Sequence, residues 1–387
     1  MITKIKIENF KSISSLELDL GRLNIFIGSN GSGKSNILEG IAMGAAASTD
    51  NLEDQFLASR GIRVTDHTTM RSGFSTDTVS NAIAVNFSHS LYGEIPFILE
   101  HQDNVFSDWW NSGKTVNELM TEKIKNETFV ETTEGSTRKL NAHEFKKIEY
   151  EINEKTRKAG KRTFGLQGLS DFLIFAPENH FLRRFEEESQ IKPLGIKGEG
   201  LFRLLTIITS EKPEQLEKIK DNLQLLDWFD NFEIPKDLKF TERRLNIKDR
   251  YLTDGLQYLD QRSANEGFLY LLFYFTLFIS DYTPNFFAID NIDNAMNPKL
   301  GRRLIKTLAL LANKNKKQAL LTTHNPAILD GLNLNDDEQR LFVVYRNGDG
   351  HTKVRRIFKK KMPEGVTPMP LSEMFLRGYI GGLPNNF

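Results

Sequence analysis

The chain has 387 residues, of which 39% are hydrophobic and 26% charged, and it holds no cysteine. Fifty-one basic residues balance 51 acidic ones, so no global field draws it to nucleic acid or to a membrane surface. The missing thiols exclude disulfides, thiolate metal sites and cysteine nucleophiles, and the length suits a soluble globular protein with two or three lobes.

The opening, MITKIKIENF (Met1 to Phe10), alternates apolar and polar residues as a strand does and lacks the apolar core of a signal peptide. An apolar strand follows at Leu23 to Ile27, then GSNGSGKS, then a helix-forming segment. Gly28, four residues, then Gly33-Lys34-Ser35 stand in the strand, loop and helix order that a phosphate-binding loop requires. Its glycines let backbone N–H groups turn onto phosphates at a helix N-terminus, where the dipole also favours negative charge. On this reading Asn30, Gly31, Gly33, Lys34, Ser35 and Asn36 bind nucleotide, with Lys34 on the outer phosphates and the Ser35 hydroxyl on magnesium.

Asn81 to Glu100 reads as two strands around Tyr92-Gly93, and Glu127 to Leu140 as a hairpin turning at Glu134-Gly135; together they make an antiparallel lobe. The Lys/Glu-rich stretches Lys114 to Lys125 and Ala142 to Lys161 read as solvated helices, with a basic contact surface at Lys158, Lys161 and Arg162 as the alternative. Glu211 to Leu226 is one amphipathic helix, and heptads are not sustained, so a short helical lobe is expected in place of long coiled-coil arms. The longest apolar run, Phe268 to Ile279, falls short of the roughly 18 residues of a membrane span and reads as a buried helix.

Phe286 to Asp290 is an apolar run ending in an acid, as in a central parallel strand covered on both faces whose C-terminal edge meets the ligand. Asp290 is thereby placed to hold magnesium through water. A second buried strand, Ala319 to Thr322, leads to Thr323-His324-Asn325-Pro326, where His324 could contact a terminal phosphate. The seven histidines are too scattered for a zinc site. The apolar, Gly-rich tail reads as a last packing element or as a docking segment.

Taken in order, IKIENFKSI, GSNGSGKSN, IFAPENHFLRR (Ile174 to Arg184), FFAIDNID and TTHNP resemble the ABC-type AAA ATPase heads of the SMC, RecF and OLD class, including small ATPase subunits of bacterial anti-phage defence systems. The resemblance implies an α/β P-loop NTPase fold of ABC-ATPase head type, a mixed parallel sheet flanked by helices with an antiparallel β lobe and a short helical lobe. It divides the chain into residues 1–180 and 255–345 for the two parts of the head, 181–254 for the helical lobe and 346–387 for a tail. In that class a signature segment from a second subunit completes each ATP site. Asn265-Glu266-Gly267 is the counterpart here, which implies a homodimer closed around ATP and Mg2+. Asn179 is the counterpart of the Gln-loop residue.

Two positions depart from the class pattern. Asn265 stands where a signature serine is usual, and keeps a donor for phosphate. Asn291 stands where the glutamate that polarises the attacking water is usual, and an amide cannot accept a proton at neutral pH. A general base contributes about 10²- to 10⁴-fold in rate, so strong binding with slow hydrolysis is expected, served by Lys34, Asp293 and His324 around Asn291. No spaced acids of a fused Toprim nuclease follow His324. The expected function is a cytoplasmic, membrane-free ATP switch gating a separately encoded effector, nuclease or toxin, in anti-phage defence. The alternative is a RecF-like DNA-binding ATPase in DNA repair, and a transporter subunit fits least.

Overall fold

The computed structural model describes residues 1–74, 79–102, 107–114, 129–131, 137–139, 168–185, 193–235, 243–253, 256, 258–359 and 369–383. The turn at Glu134-Gly135, the stretches after Lys114 to Lys125 and from Ala142 to Lys161, and the basic group Lys158, Lys161 and Arg162 lie outside them.

The chain forms two units. The first joins residues 1–19, 39–172 and 347–352 and is built on a five-stranded sheet. Strand β1 (Ile2–Phe10) pairs antiparallel with β2 (Ile13–Asp19) and with β4 (Ile83–His89), which continues through β5 (Gly93–Glu100) to β6 (Trp110–Asn111). Alternation sets the buried face: Ile5, Ile7, Val85, Phe87, Ile95 and Phe97 point inward while the residues between them are more exposed. A separate short pair, β7 (Phe129–Glu131) with β8 (Thr137–Lys139), is also antiparallel. The buried carboxylate of Glu39 accepts from both Lys11 Nζ and Arg63 Nε, so a charge that would be costly alone is paired twice.

The second unit joins residues 20–38, 173–346 and 353–387 around a six-stranded sheet. Its order is β15 (Thr352–Ile357), β14 (Gln339–Arg346), β3 (Leu23–Ile27), β13 (Gln318–Thr323), β12 (Phe286–Ile289) and β9 (Ile174–Phe175). The pairings from β14 to β9 are all parallel. Every residue of β3, β12 and β13 is buried, which explains why these segments read as continuous apolar runs rather than alternating ones.

Among the described residues there are nine α-helices, besides a 3-10 helix at Pro326–Gly331. α1 (Lys34–Ala47) follows β3, and the first unit adds α2 (Asp54–Ser59) and α3 (His67–Met70). The helical part of the second unit holds α4 (Asn179–Arg184), α5 (Leu201–Glu211) and α6 (Pro213–Leu223), followed by the hairpin β10 (Phe229–Glu233) and β11 (Asn246–Asp249). The apolar run forms α7 (Glu266–Ile279), buried from Phe268 to its end, with Phe278 edge-on to Phe287 of β12 at 5.1 Å. Lys317 closes its C-terminal turn, donating to Ser280 O at 2.8 Å and Thr283 O at 2.9 Å, and burial pushes its ammonium down to about 8. α8 (Pro298–Lys314) is amphipathic, and α9 (Leu371–Leu376) packs the tail through Phe375 and the Ser372 bonds to Asp330. Among the described residues no helix is long and apolar enough to cross a membrane.

Gly44 of α1 faces β4 so closely that a Cβ there would meet Val85 Cγ1 at 2.6 Å and Phe87 Cε2 at 2.7 Å. Alanine favours an isolated helix over glycine by about 1 kcal/mol, yet overpacking costs about 1–3 kcal/mol. Gly44→Ala should therefore lower the denaturant midpoint, the reverse of its helix propensity, and an equilibrium urea melt reads the sign.

Candidate functional site

The phosphate-type loop begins where β3 runs out. Ile27 pairs with Val343 of β14, so the next residue, Gly28, meets the strand backbone: a Cβ on it would sit 2.1 Å from Val344 O. Gly31 (φ +73°) and Gly33 (φ +103°) then take left-handed conformations that a side chain resists. The loop closes with Ser32 N donating to Ser29 O at 3.3 Å, and α1 starts as Ile37 N donates to Gly33 O. Asn30 and Gly31 are exposed at its tip, and Asn36 is half-buried on α1. Arg346 Nε donates to Gly31 O at 2.8 Å and braces that tip from the end of β14.

Lys34 is buried, and its ammonium donates to Gly28 O at 2.9 Å and Ser29 O at 3.0 Å. It also faces His324 Nδ1 at 3.4 Å; a lysine has only donors, so Nδ1 accepts. Burial pushes the Lys34 ammonium down to about 8, with Asp290 and Asp293 pulling the other way. Burial, and then the Lys34 charge, hold His324 below the usual imidazole range, so the ring is neutral at neutral pH despite Asp293 and Asp290.

Strand register brings the acid to the same place. Ile289 pairs with Leu321, so Asp290 emerges beside Thr322. Ser35 Oγ donates to Asp290 Oδ2 at 2.9 Å, and Thr322 Oγ1 donates to Oδ1. Asn291 N in turn donates to Thr322 Oγ1 at 2.9 Å and Ile292 N to Thr322 O at 3.0 Å. Asn291 lies at φ +57°, a left-handed position that asparagine tolerates better than most residues. The chain then turns tightly, with Met296 N donating to Asp293 O, and leaves Asp293 Oδ1 buried without a hydrogen-bond partner.

The structure thus gathers Lys34, Ser35, Asp290, Asp293 and His324. Asn265, Glu266 and Gly267 stand elsewhere, at the N-terminus of α7, and no described hydrogen bond joins them to the loop. Asn265 caps that helix, its Oδ1 accepting from Phe268 N at 2.8 Å, and Asn179 Nδ2 donates to Glu266 Oε1 at 2.5 Å. Arg183 ties α4 to the same corner by donating to Ala264 O at 2.9 Å. Asn265 to Gly267 line an open cavity of about 550 Å³ together with Trp228, Lys299 and Arg303.

Two participants escaped the sequence reading. Thr322 carried a faint signal as a polar end to an apolar strand, whereas Arg346 had none. For magnesium, the Ser35 hydroxyl and the Asp290 carboxylate are adjacent hard oxygen donors, the kind this ion takes when phosphates and water complete its shell.

Residues 23–330 match the family described as "AAA domain, putative AbiEii toxin, Type IV TA system". No curated protein matches the chain. Among solved structures, an Smc head bound to the C-winged helix domain of ScpA is similar with a TM-score of 0.52 at 16% identity, over 92% of this chain and 98% of that one. The Smc head with an extended coiled coil bound to the C-terminal domain of ScpA, derived from Pyrococcus furiosus, gives 0.51 at 13%, over 92% and 96%. At these identities the likeness is one of fold, and it agrees with the parallel sheet and loop described above. With the family match spanning both the loop and the acidic strand, the chain belongs to this AAA-domain family, and its fold is that of an Smc ATPase head.

Proposed function

We propose that the chain binds ATP with magnesium, closes as a homodimer around it, hydrolyses it slowly and gates a separately encoded effector in the cytoplasm, in bacterial anti-phage defence. The observation that carries this reading is the residue after Asp290: an amide, Asn291, held left-handed where a water-polarising carboxylate is usual. Asp293, three residues beyond Asp290, is a carboxylate with an oxygen that has no hydrogen-bond partner, and its charge is felt at both Lys34 and His324. In this reading it acts as a weak, offset base, while Lys34 holds the outer phosphates and neutral His324 offers a hydrogen bond to the terminal one. Magnesium, held by Ser35 Oγ and through water by Asp290, would offset phosphate charge. The composite site takes Asn265-Glu266-Gly267 from the partner copy. The toxin and toxin–antitoxin wording of the family description supports an effector partner. The RecF-like alternative has thinner support, because Asn179 and Arg183 of the segment that suggested it are turned to Glu266 and Ala264 of their own chain.

In steady-state assays the wild type should turn over slowly and Lys34→Ala should fail to bind nucleotide. Asn291→Glu should raise kcat by about 10-fold or more, since a well-placed base is worth about 10²- to 10⁴-fold and the left-handed site strains a glutamate. A brisk wild type unmoved by Asn291→Glu would contradict the slow switch.

The trans site has its own test. A Cβ on Gly267 meets only ordinary contacts, Asn265 Oδ1 at 3.5 Å and Ala295 O at 3.6 Å, so Gly267→Asp should fold. It and Lys34→Ala should each be inactive alone and recover ATPase activity when mixed, as one composite site per mixed dimer is intact. No recovery would count against shared sites.

A further inference from the structure

Helix α7 is buried along its length, and in its middle Tyr274 carries a hydroxyl into the core. The ring is fully buried and the hydroxyl has no hydrogen-bond partner, although phenylalanine, which occupies both flanking positions as Phe273 and Phe275, would avoid burying it. An orphaned buried donor needs an explanation.

The two ends of the helix fix what Tyr274 faces. Near its C-terminus Phe278 meets Phe287, and at its N-terminus Gly267 lies against Ala295 O. The helix therefore runs against the direction of the segment from Phe287 to Ala295, and Tyr274, between those two contacts, falls opposite the stretch that contains Asp293. Here lies the second orphan, Asp293 Oδ1, also buried and also without a partner. Electrostatics agrees with the placement: burial holds the Tyr274 phenol well above its usual range, and the charges of Tyr270 and Asp293 push the same way. The phenol thus keeps its proton, while an ionised carboxylate only accepts. Asp293 also sits between two left-handed residues, Asn291 and Ala295, both at φ +57°. Such backbone collects at segments that change conformation.

We propose that Tyr274 is a positioning residue whose hydroxyl donates to Asp293 Oδ1 when the loop tightens around bound nucleotide, fixing the carboxylate so that Oδ2 faces the attacking water. The inference rests on the reading of Asp293 as the residual base. In the step it serves, the water oxygen bonds to the γ-phosphorus, the bond from that phosphorus to the bridging oxygen breaks to release ADP, and the water proton passes to Asp293 Oδ2. Tyr274 keeps its proton throughout.

The test is single-turnover hydrolysis and ATP affinity for the wild type, Tyr274→Phe, Asp293→Asn and the double variant, with a thermal melt of each. Tyr274→Phe should lower the rate constant roughly 10-fold, as a displaced catalytic group does, with ATP affinity unchanged and the melting temperature equal or higher. On an Asp293→Asn background the same change should cost nothing further. If Asp293→Asn slows hydrolysis but Tyr274→Phe does not, this inference fails and the base reading stands. If Asp293→Asn leaves the rate intact, the base reading fails and takes the inference with it. Losses that multiply in the double variant, or a Tyr274→Phe loss accompanied by a fall in melting temperature and ATP affinity, would make the hydroxyl structural and overturn it.

Discussion

The Asp290 carboxylate is held from two sides, by Ser35 Oγ at the start of α1 and by Thr322 Oγ1 at the end of β13. Three segments far apart in the chain are thereby tied at one point, and each must end at the right height for the bonds to form. The parallel register supplies that height, because Ile289 beside Leu321 and Thr323 beside Ile27 bring all three strand ends to one edge. Hydrogen bonds to an ionised acceptor are among the stronger ones, and a carboxylate fixed at both oxygens cannot swing. The site is in this sense a property of the sheet, with the loop draped over it.

The same register explains the unusual features nearby. Gly28 has no side chain because Val344 O stands where one would be, and Lys34 turns its charge onto the loop carbonyls of Gly28 and Ser29. The left-handed Asn291 follows from the need to turn sharply off β12 while its N–H still reaches Thr322 Oγ1. Asparagine suits that backbone, whereas glutamate would strain it. On the proposed reading, the residue that slows the chemistry is also one that the local backbone favours.

Local features were legible in the sequence. The loop, the strand before it, the apolar run that became α7 and the alternating pair at Asn81 to Glu100 each carry their pattern within a short window, where periodicity and glycine placement suffice. What could not be read depends on which strands become neighbours. Arg346 braces Gly31 only because β14 lies beside β3, and Thr322 bonds Asp290 only because β13 lies beside β12. Nor did the sequence signal that residues 1–19 and 39–172 would form a unit separate from the loop between them, since their sheet pairs strands distant along the chain. The orphaned oxygens of Tyr274 and Asp293 belong to the same class, invisible until the helix and the turn are packed.

The central claim is that ATP holds two copies together for long periods because the water lacks a well-placed base. The most direct measurement is the lifetime of the ATP-bound dimer in magnesium, followed by light scattering after dilution into excess ADP. The account predicts that the wild type forms a dimer with ATP and not with ADP, that the dimer decays slowly, and that its decay rate matches single-turnover hydrolysis. A chain that stays monomeric with ATP, or a dimer that falls apart much faster than ATP is cleaved, would contradict it.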